Sequence, residues 1–166
     1  MTTRNRRDTD LHELATAGYR YAFALTHDRP AAEDLLQDAW EAMLRAGGHQ
    51  RRPYLFCAIR TRFLNHCQRA KRLTLVDLDA PQTEELADER TADELFIADW
   101  GSLGTALGEL QPLERELLFL WAIEGYTAQE IGELTNRARG TVLSLLHRTK
   151  LKLRERLETV YREIRS

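Results

Sequence analysis

The side chains that most clearly suit a chemical task are polar and basic groups within residues 124–154. They follow a short helical pattern and a tight turn, which is the order of elements in a helix-turn-helix motif. In that motif the second helix enters the DNA major groove and directs its outer side chains at phosphates and base edges. The outer side chains predicted here are Arg139, Thr141, Ser144, Arg148, Lys150 and Lys152. A helical hairpin with a solvated charged face is the alternative explanation of the same pattern.

Local signals in this segment predict where its helices begin and end. Gly125 suits the left-handed residue that ends a helix, and Thr127 with Glu130 predicts a capping box for the next helix. Asn136 tolerates the positive φ expected in the turn. Apolar residues at helical spacing predict the buried sides of the two helices, at Ile131, Leu134, Val142, Leu146 and Leu153.

A second basic group lies on a helix predicted from Pro53 to about residue 72, with Phe56 and Ile59 among its inner residues. Cations and aromatic rings on one helix suit melted nucleic acid, because cations follow phosphates while flat groups stack on unpaired bases. The outer residues are Arg60, Arg62, Asn65, His66, Arg69, Lys71 and Arg72. Binding of an acidic protein is the alternative that this composition leaves open.

Between the N-terminal helix that begins at Leu11 and this basic helix, another helix is predicted, with Pro30 in its first turn and Gly47 at its end. Its outer face is acidic and has an aromatic edge, formed by Asp34, Gln37, Asp38 and Trp40. This face predicts either a protein-binding surface or an ordinary solvated face.

Charge divides the chain more clearly than its net charge of −2 suggests. Residues 1–72 hold 13 Lys and Arg against 8 Asp and Glu, residues 73–109 hold 1 against 10, and residues 110–166 hold 10 against 8. The sequence has helical periodicity and no strand-like alternation. We therefore predict an all-α protein with two small helical domains, residues 1–72 and 93–166, joined by an acidic linker over residues 73–92. A helix is predicted over residues 93–110, of which the part 101–108 is loose.

The sequence lacks the residues that several classes of function require. The sequence has no paired carboxylates, nucleophile constellation or phosphate-binding loop, so we predict no enzymatic activity and no cofactor. Cys57 and Cys67 have no metal-ligand spacing, which predicts reduced thiols and no metal site. The absence of a secretory signal and of a long apolar run predicts a cytoplasmic protein without membrane insertion.

Three segments in this order resemble one family, the bacterial RNA polymerase sigma factors of the extracytoplasmic-function type. Residues 25–46, which include AEDLLQDAW, resemble the helix that binds the polymerase clamp. Residues 53–72, PYLFCAIRTRFLNHCQRAKR, resemble the helix that recognises and melts the −10 element. Residues 110–154 resemble the helix-turn-helix that reads the −35 element. The ordered set is more specific than any one segment.

The resemblance implies partners and contact residues. Core RNA polymerase, through the clamp of its largest subunit, and promoter DNA are the implied partners, and an anti-sigma factor is a further one. Polymerase contacts are implied for Asp34, Leu35, Gln37, Asp38 and Trp40. The basic residues of 60–72 named above would lie near the −10 element. The −35 contacts would be Arg139, Thr141, Ser144, Leu145, Arg148, Lys150 and Lys152. The acidic linker would thread through the polymerase channels.

Some positions depart from the family pattern. Tyr54 replaces the usual Trp, and Ala138 replaces a capping Ser, while Leu143 and Leu145 stand where Lys and Arg are usual. Leu143 and Leu145 are predicted off the buried stripe, to contact either thymine methyl groups or a protein partner. Leu143 and Leu145, with Thr61 and Gln68 where the family has Asn and Arg, motivate one alternative, a sigma-like decoy that sequesters an anti-sigma factor. A helix-turn-helix regulator acting as a dimer is the other alternative.

Overall fold

Helices form all the regular structure in residues 11–47, 51–76 and 101–164, which are the residues that the computed structural model describes. The first three are α1 (Leu11–Thr26), α2 (Arg29–Arg45) and α3 (Arg52–Val76). They are followed by α4 (Gly101–Gly108), α5 (Pro112–Leu118), a π-helical segment (Phe119–Ile123), α6 (Ala128–Thr135) and α7 (Arg139–Ile164). The prediction of an all-α fold is confirmed. In this part of the chain no helix is both long enough and apolar enough to cross a membrane.

Helices α1, α2 and α3 form a bundle in which each helix packs against the other two. The bundle encloses fully buried apolar side chains from all three helices, including Leu14, Leu25, Met43 and Ile59. Gly18 allows α1 to come close to its neighbours, because a Cβ atom there would lie 2.7 Å from Cδ2 of Leu55 and 2.8 Å from Cδ1 of Leu36. A side chain at position 18 would therefore displace two core leucines.

The start of α2 is fixed by its own sequence. Asp28 has an extended backbone, with φ −141° and ψ 127°, and its carboxylate accepts a hydrogen bond of 2.9 Å from the backbone N–H of Ala31. Pro30 follows in the first turn, where its missing N–H costs nothing. Pro30 is in the first turn of α2, as predicted, and His27 just before this helix adopts the left-handed conformation with φ 51°.

Two predicted boundaries differ from the structure. Helix α3 continues to Val76, so the first four residues of the predicted linker are helical. Residues 77–92 of that linker, and residues 93–100 of the next predicted helix, lie outside the described residues. Residues 101–108, the loose part of the helix predicted over 93–110, form α4, which ends at Gly108. The reason is tertiary packing, since α4 lies against α7 and its Ala106 is fully buried.

The apolar contacts of the three-helix bundle continue into the C-terminal half of the chain. Helix α1 packs against α5, and four aromatic rings form the junction. Tyr21 stacks on Phe56 with a centroid distance of 4.4 Å, and Phe119 lies 5.8 Å from Tyr21. Tyr126 lies 6.3 Å from Phe56. The two halves therefore share one continuous hydrophobic core in this structure.

Candidate nucleic-acid and protein contact surfaces

The helix-turn-helix has the local geometry that its sequence predicts. Gly125 is left-handed with φ +69° after the π-helical segment. The hydroxyl of Thr127 accepts from the backbone N–H of Glu130 at 3.2 Å, and the Glu130 carboxylate accepts from the backbone N–H of Thr127 at 2.8 Å. Asn136 is left-handed in the turn, with φ 55° and ψ 51°. The predicted C-cap, capping box and turn are all confirmed.

Gly132 contributes to this turn in a way that the sequence analysis missed. A Cβ atom at position 132 would lie 2.5 Å from the carbonyl oxygen of Arg137, which is a backbone atom and cannot rotate away. In addition, the carbonyl oxygen of Gly132 accepts a hydrogen bond of 2.8 Å from the backbone N–H of Arg137. The only available signal was a glycine inside a helix of eight residues, where glycine is normally unfavourable.

Helix α7 buries one face and exposes another. Val142 and Leu146 are buried, as predicted, and Leu153 packs partly buried against the core. The predicted DNA-facing residues Arg139, Thr141, Ser144 and Arg148 are exposed. Thr141, Ser144 and Arg148 are three and four positions apart, so they occupy one face of the helix.

Leu143 and Leu145, which replace the family's usual Lys and Arg, differ in environment. Leu143 lies off the buried stripe, as predicted, with 44% of its surface exposed. Leu145 is half-buried and packs against the core, so the expectation that it lies off the buried stripe was wrong. The reason is its spacing, because Leu145 follows Val142 by three residues and so lies beside it on the helix.

The two lysines of α7 already have intramolecular contacts. The ammonium group of Lys150 lies 4.5 Å from the centroid of the Trp121 ring, a cation–π geometry. The ammonium group of Lys152 donates to the Glu114 carboxylate at 2.8 Å. Partial desolvation raises the pKa of Glu114, but the ion pair with Lys152 and the backbone N–H donation from Gln111 together outweigh it, so the pKa is lowered. The structure thus orients both lysines before any partner binds.

Helix α3 carries an exposed polar stripe, which we call the α3 stripe. It consists of Arg62, Asn65, His66, Arg69 and Arg72, whose spacing of three and four residues places them along one face. Arg62 is partly buried and donates to the Ala58 carbonyl at 3.2 Å, while the other members are exposed. Lys71 is exposed on an adjacent face. Five of the seven predicted −10 residues are therefore exposed, and Arg62 is partly buried.

Arg60, the seventh of these residues, lies in a different environment. Its side chain is 15% exposed, and its Nε donates to Oε1 of Glu116 at 2.9 Å. The hydroxyl of Tyr21 donates to the same oxygen at 2.5 Å. Burial raises the pKa of Glu116, with the Arg60 charge opposing it, and burial followed by the Glu116 charge raises the pKa of Tyr21. Arg60 therefore faces another part of the chain and does not extend the α3 stripe.

Arg115, beside Glu116, also contacts the N-terminal half. Its guanidinium donates to the carbonyl oxygens of Ala24 at 2.8 Å and Leu25 at 3.1 Å, and also to that of Leu110. Near the same junction, Arg52 pairs with Glu124 at 3.1 Å. These contacts were not predicted from the sequence.

One signal for such contacts was present in the sequence. Glu116 follows Leu113 by three residues and precedes Leu120 by four. It therefore falls on the apolar stripe of its helix, where a charged residue implies a buried partner.

The acidic surface on α2 is present with one correction. Asp34, Gln37 and Asp38 are exposed, and Trp40 is half-buried at their edge. Leu35 is 2% exposed and belongs to the core of the bundle, so its side chain does not reach this surface. The reason is helical spacing, because Leu35 lies in register with the other buried residues of α2.

The cysteine prediction can also be compared with the structure. Cys57 and Cys67 are both free thiols. Burial raises the pKa of the Cys57 thiol, and the Arg60 charge opposes this shift. Within residues 11–47, 51–76 and 101–164, no three His, Cys, Asp or Glu side chains converge in a way that could hold a metal ion.

Comparison with known proteins assigns these surfaces to a family. Residues 12–73 match the family described as Sigma-70 region 2, and residues 100–153 match Sigma-70, region 4. SigL of Mycobacterium tuberculosis, an ECF RNA polymerase sigma factor, is 30% identical over 149 residues, which span 81% of this chain and 79% of SigL. The chain belongs to the ECF family of RNA polymerase sigma factors.

Other relatives agree with this assignment. This sigma factor is 27% identical over 156 residues to SigE of Mycolicibacterium smegmatis, and the match spans 90% of the chain but 61% of SigE. The crystallised complex of the sigma factor RpoE with the anti-sigma factor NepR from Bartonella quintana contains a similar fold. The TM-score is 0.73 at 24% identity, with 89% of this sigma factor and 94% of that chain covered. Regions 2 and 4 together support a promoter-recognising alternative sigma factor.

Proposed function

We propose that this sigma factor binds core RNA polymerase, directs it to promoters with −10 and −35 elements, and so starts transcription. The observation that carries the proposal is the presence, in one chain, of the exposed α3 stripe in region 2 and a well-formed helix-turn-helix in region 4. An ordinary helix-turn-helix regulator would leave region 2 and the acidic α2 surface without a role.

Each surface has a proposed task. The acidic surface on α2, formed by Asp34, Gln37, Asp38 and Trp40, would bind the clamp of the largest polymerase subunit. The α3 stripe would follow the melted −10 strand, because its cations match phosphates and its planar groups can stack on bases. Helix α7 would enter the −35 major groove with Arg139, Thr141, Ser144 and Arg148. Lys150 and Lys152 would approach the flanking phosphates.

Binding of the −10 and −35 elements by different parts of the chain needs two separable regions and no catalytic group. We propose residues 1–72 and 93–166 as the two units, with the acidic segment between them passing through the polymerase channels. Because α3 continues to Val76, the first unit would extend to that residue. The protein would act in the cytoplasm, where core polymerase is found, and would need no cofactor.

An anti-sigma factor is a further proposed partner. The Bartonella quintana RpoE of similar fold was crystallised with NepR, which is an anti-sigma factor. The exposed Leu143, at a position where the family usually has Lys, gives this chain an apolar contact point beside its DNA-facing residues.

The deciding experiment is mapping of transcript starts in vitro. Core polymerase is incubated with fragmented genomic DNA, with and without the protein, and the 5′ ends of the products are sequenced. We expect discrete new starts that share sequence upstream at −10 and −35. The reaction with core polymerase alone is the control for background initiation.

The same experiment distinguishes the decoy alternative. That alternative is motivated by Leu143, which cannot donate to a phosphate as the usual Lys does. Absence of new starts, together with tight binding to a cognate anti-sigma factor, would favour a decoy over an initiating sigma factor.

A further inference from the structure

Contacts between residues far apart in the chain join regions 2 and 4 directly. The Glu116 carboxylate of region 4 accepts from Tyr21 and Arg60 of region 2. Arg115 donates to backbone carbonyls at the end of α1, and Arg52 pairs with Glu124. The ring contacts of Tyr21 with Phe56 and Phe119 surround this polar group. In the described residues the two regions are therefore closed against each other.

The Glu116 contact is shielded from water, so the loss of one partner should be costly. Glu116 is 2% exposed, and both of its donors converge on the same oxygen, Oε1. Exposed ion pairs contribute little, whereas removing one member of a buried pair is strongly destabilising because its partner is left uncompensated. Of the contacts between the regions, this one should respond most to a single substitution.

Closure is incompatible with simultaneous binding of both promoter elements. The elements are about 25 base pairs apart, which is roughly 85 Å of duplex at about 3.4 Å per base pair. In the structure the helices that carry the two reading surfaces belong to halves that touch. Arg60 is also engaged by Glu116 through Nε and its side chain is 15% exposed, so the closed form restricts its access to a phosphate.

We propose that Glu116 is an intramolecular latch that holds regions 2 and 4 closed and competes with the −10 strand for Arg60. The inference rests on the proposed promoter function. Opening exchanges one anion for another, because a phosphodiester takes the place of the carboxylate on the Arg60 guanidinium. Core polymerase would favour the open form by holding the two regions apart, which is a shift between two existing states.

The test compares full-length Glu116→Lys with wild type and with a matched control, Glu109→Lys. Both substitutions replace one negative side chain in the C-terminal half with a positive one. The change in net charge, and so in nonspecific attraction to DNA, is therefore the same. Glu109 pairs with Arg156 at 3.0 Å within that half, and the pair is about half exposed. Small-angle X-ray scattering measures opening without polymerase or DNA, and fluorescence anisotropy measures binding of a short, labelled single-stranded DNA of mixed sequence.

We expect Glu116→Lys to increase the radius of gyration and Glu109→Lys to leave it unchanged. If the closed form holds about nine molecules in ten, opening increases apparent affinity for single-stranded DNA about tenfold over the control. Tyr21→Phe provides a second variant that keeps the ring stacking and removes only the hydroxyl donor. It should open the protein partially, and circular dichroism checks that every variant is folded.

Each outcome bears on the latch. Folded Glu116→Lys and Tyr21→Phe with wild-type radii and with the DNA affinity of the control would overturn it. If Glu116→Lys does not fold, the radius and affinity of Tyr21→Phe decide the question. The proposed function is judged separately by wild-type transcript starts. Opening without promoter-specific starts would reject the proposed function and keep the latch, and starts without opening would reject the latch alone.

Discussion

Nε of Arg115 donates a hydrogen bond of 2.8 Å to the carbonyl oxygen of Ala24, 91 residues earlier in the chain. The last carbonyls of an α-helix lack partners within that helix, and cations are favoured at this end. The fork of Arg115 also reaches the carbonyls of Leu25 and Leu110. One guanidinium therefore caps the C-terminal carbonyls of α1 and also binds a carbonyl in the turn that leads into α5.

Arg115→Met should lower the free energy of unfolding by about 2–4 kcal/mol, because it leaves buried carbonyls without donors. Urea denaturation followed by circular dichroism measures the loss. Arg156→Met is the matched control, since its half-exposed pair with Glu109 should contribute less than about 1 kcal/mol. Equal losses in the two variants would show that the three carbonyl contacts do not stabilise the fold.

Gly132→Ala should destabilise the helix-turn-helix by about 1–3 kcal/mol, because the new methyl group would press on the Arg137 carbonyl in the turn. Gly140→Ala is the control, since nothing lies within 4 Å of its Cβ position. Alanine has the higher helix propensity, so this second change should stabilise by up to about 1 kcal/mol. Thermal denaturation of the two variants should shift in opposite directions, and shifts of the same sign would contradict the steric explanation.

His27 should make stability fall as the solution becomes acidic. Burial, followed by the nearby Arg115 charge, lowers the pKa of His27 below its ordinary value of 6.5. The unfolded chain then binds a proton at a higher pH than the native protein does, so the free energy of unfolding decreases as pH falls through and below 6.5.

The matched variant for this effect is His27→Asn, because Asn tolerates the positive φ of 51° at this position and does not titrate. Urea denaturation at several pH values between about 7.5 and 5.5 should show a shallower decline for the variant than for wild type. Other groups, including Glu116, titrate in both proteins, so the difference between the two curves isolates His27. Parallel curves would rule out this effect.

Asp38→Arg should abolish binding to core polymerase while leaving binding to −35 duplex DNA intact. Asp38 is exposed on the acidic surface of α2, far in sequence from the helix-turn-helix. Glu13→Arg is the control, because it makes the same change of charge at an exposed position on α1. Pull-down of core polymerase and anisotropy with a −35 duplex measure the two activities. Unchanged polymerase affinity in Asp38→Arg would reject the α2 surface as the clamp contact.

Local interactions explain which features could be predicted. The capping box of Thr127 and Glu130, the left-handed Gly125 and Asn136, and Pro30 in the first turn of α2 each involve residues within a few positions of one another. Their geometry depends little on the rest of the fold, so residue type and spacing were sufficient.

Tertiary packing decided the remaining features. Helix α4 forms despite its glycines because it packs on α7, and Leu145 joins the core beside Val142. Arg60 was grouped with the DNA-facing cations because the sequence shows its charge but not its partner. Glu116 lies 56 residues away from Arg60 in sequence.

The sequence by itself determined the helices, the two basic surfaces and the family. Only the tertiary structure decided which of those basic groups are accessible and that the two regions are closed against each other. The physical reason is that charge and helical period are properties of short segments. The burial of an ion pair depends on which distant surfaces meet, and burial makes the loss of either partner costly because the other charge is left uncompensated.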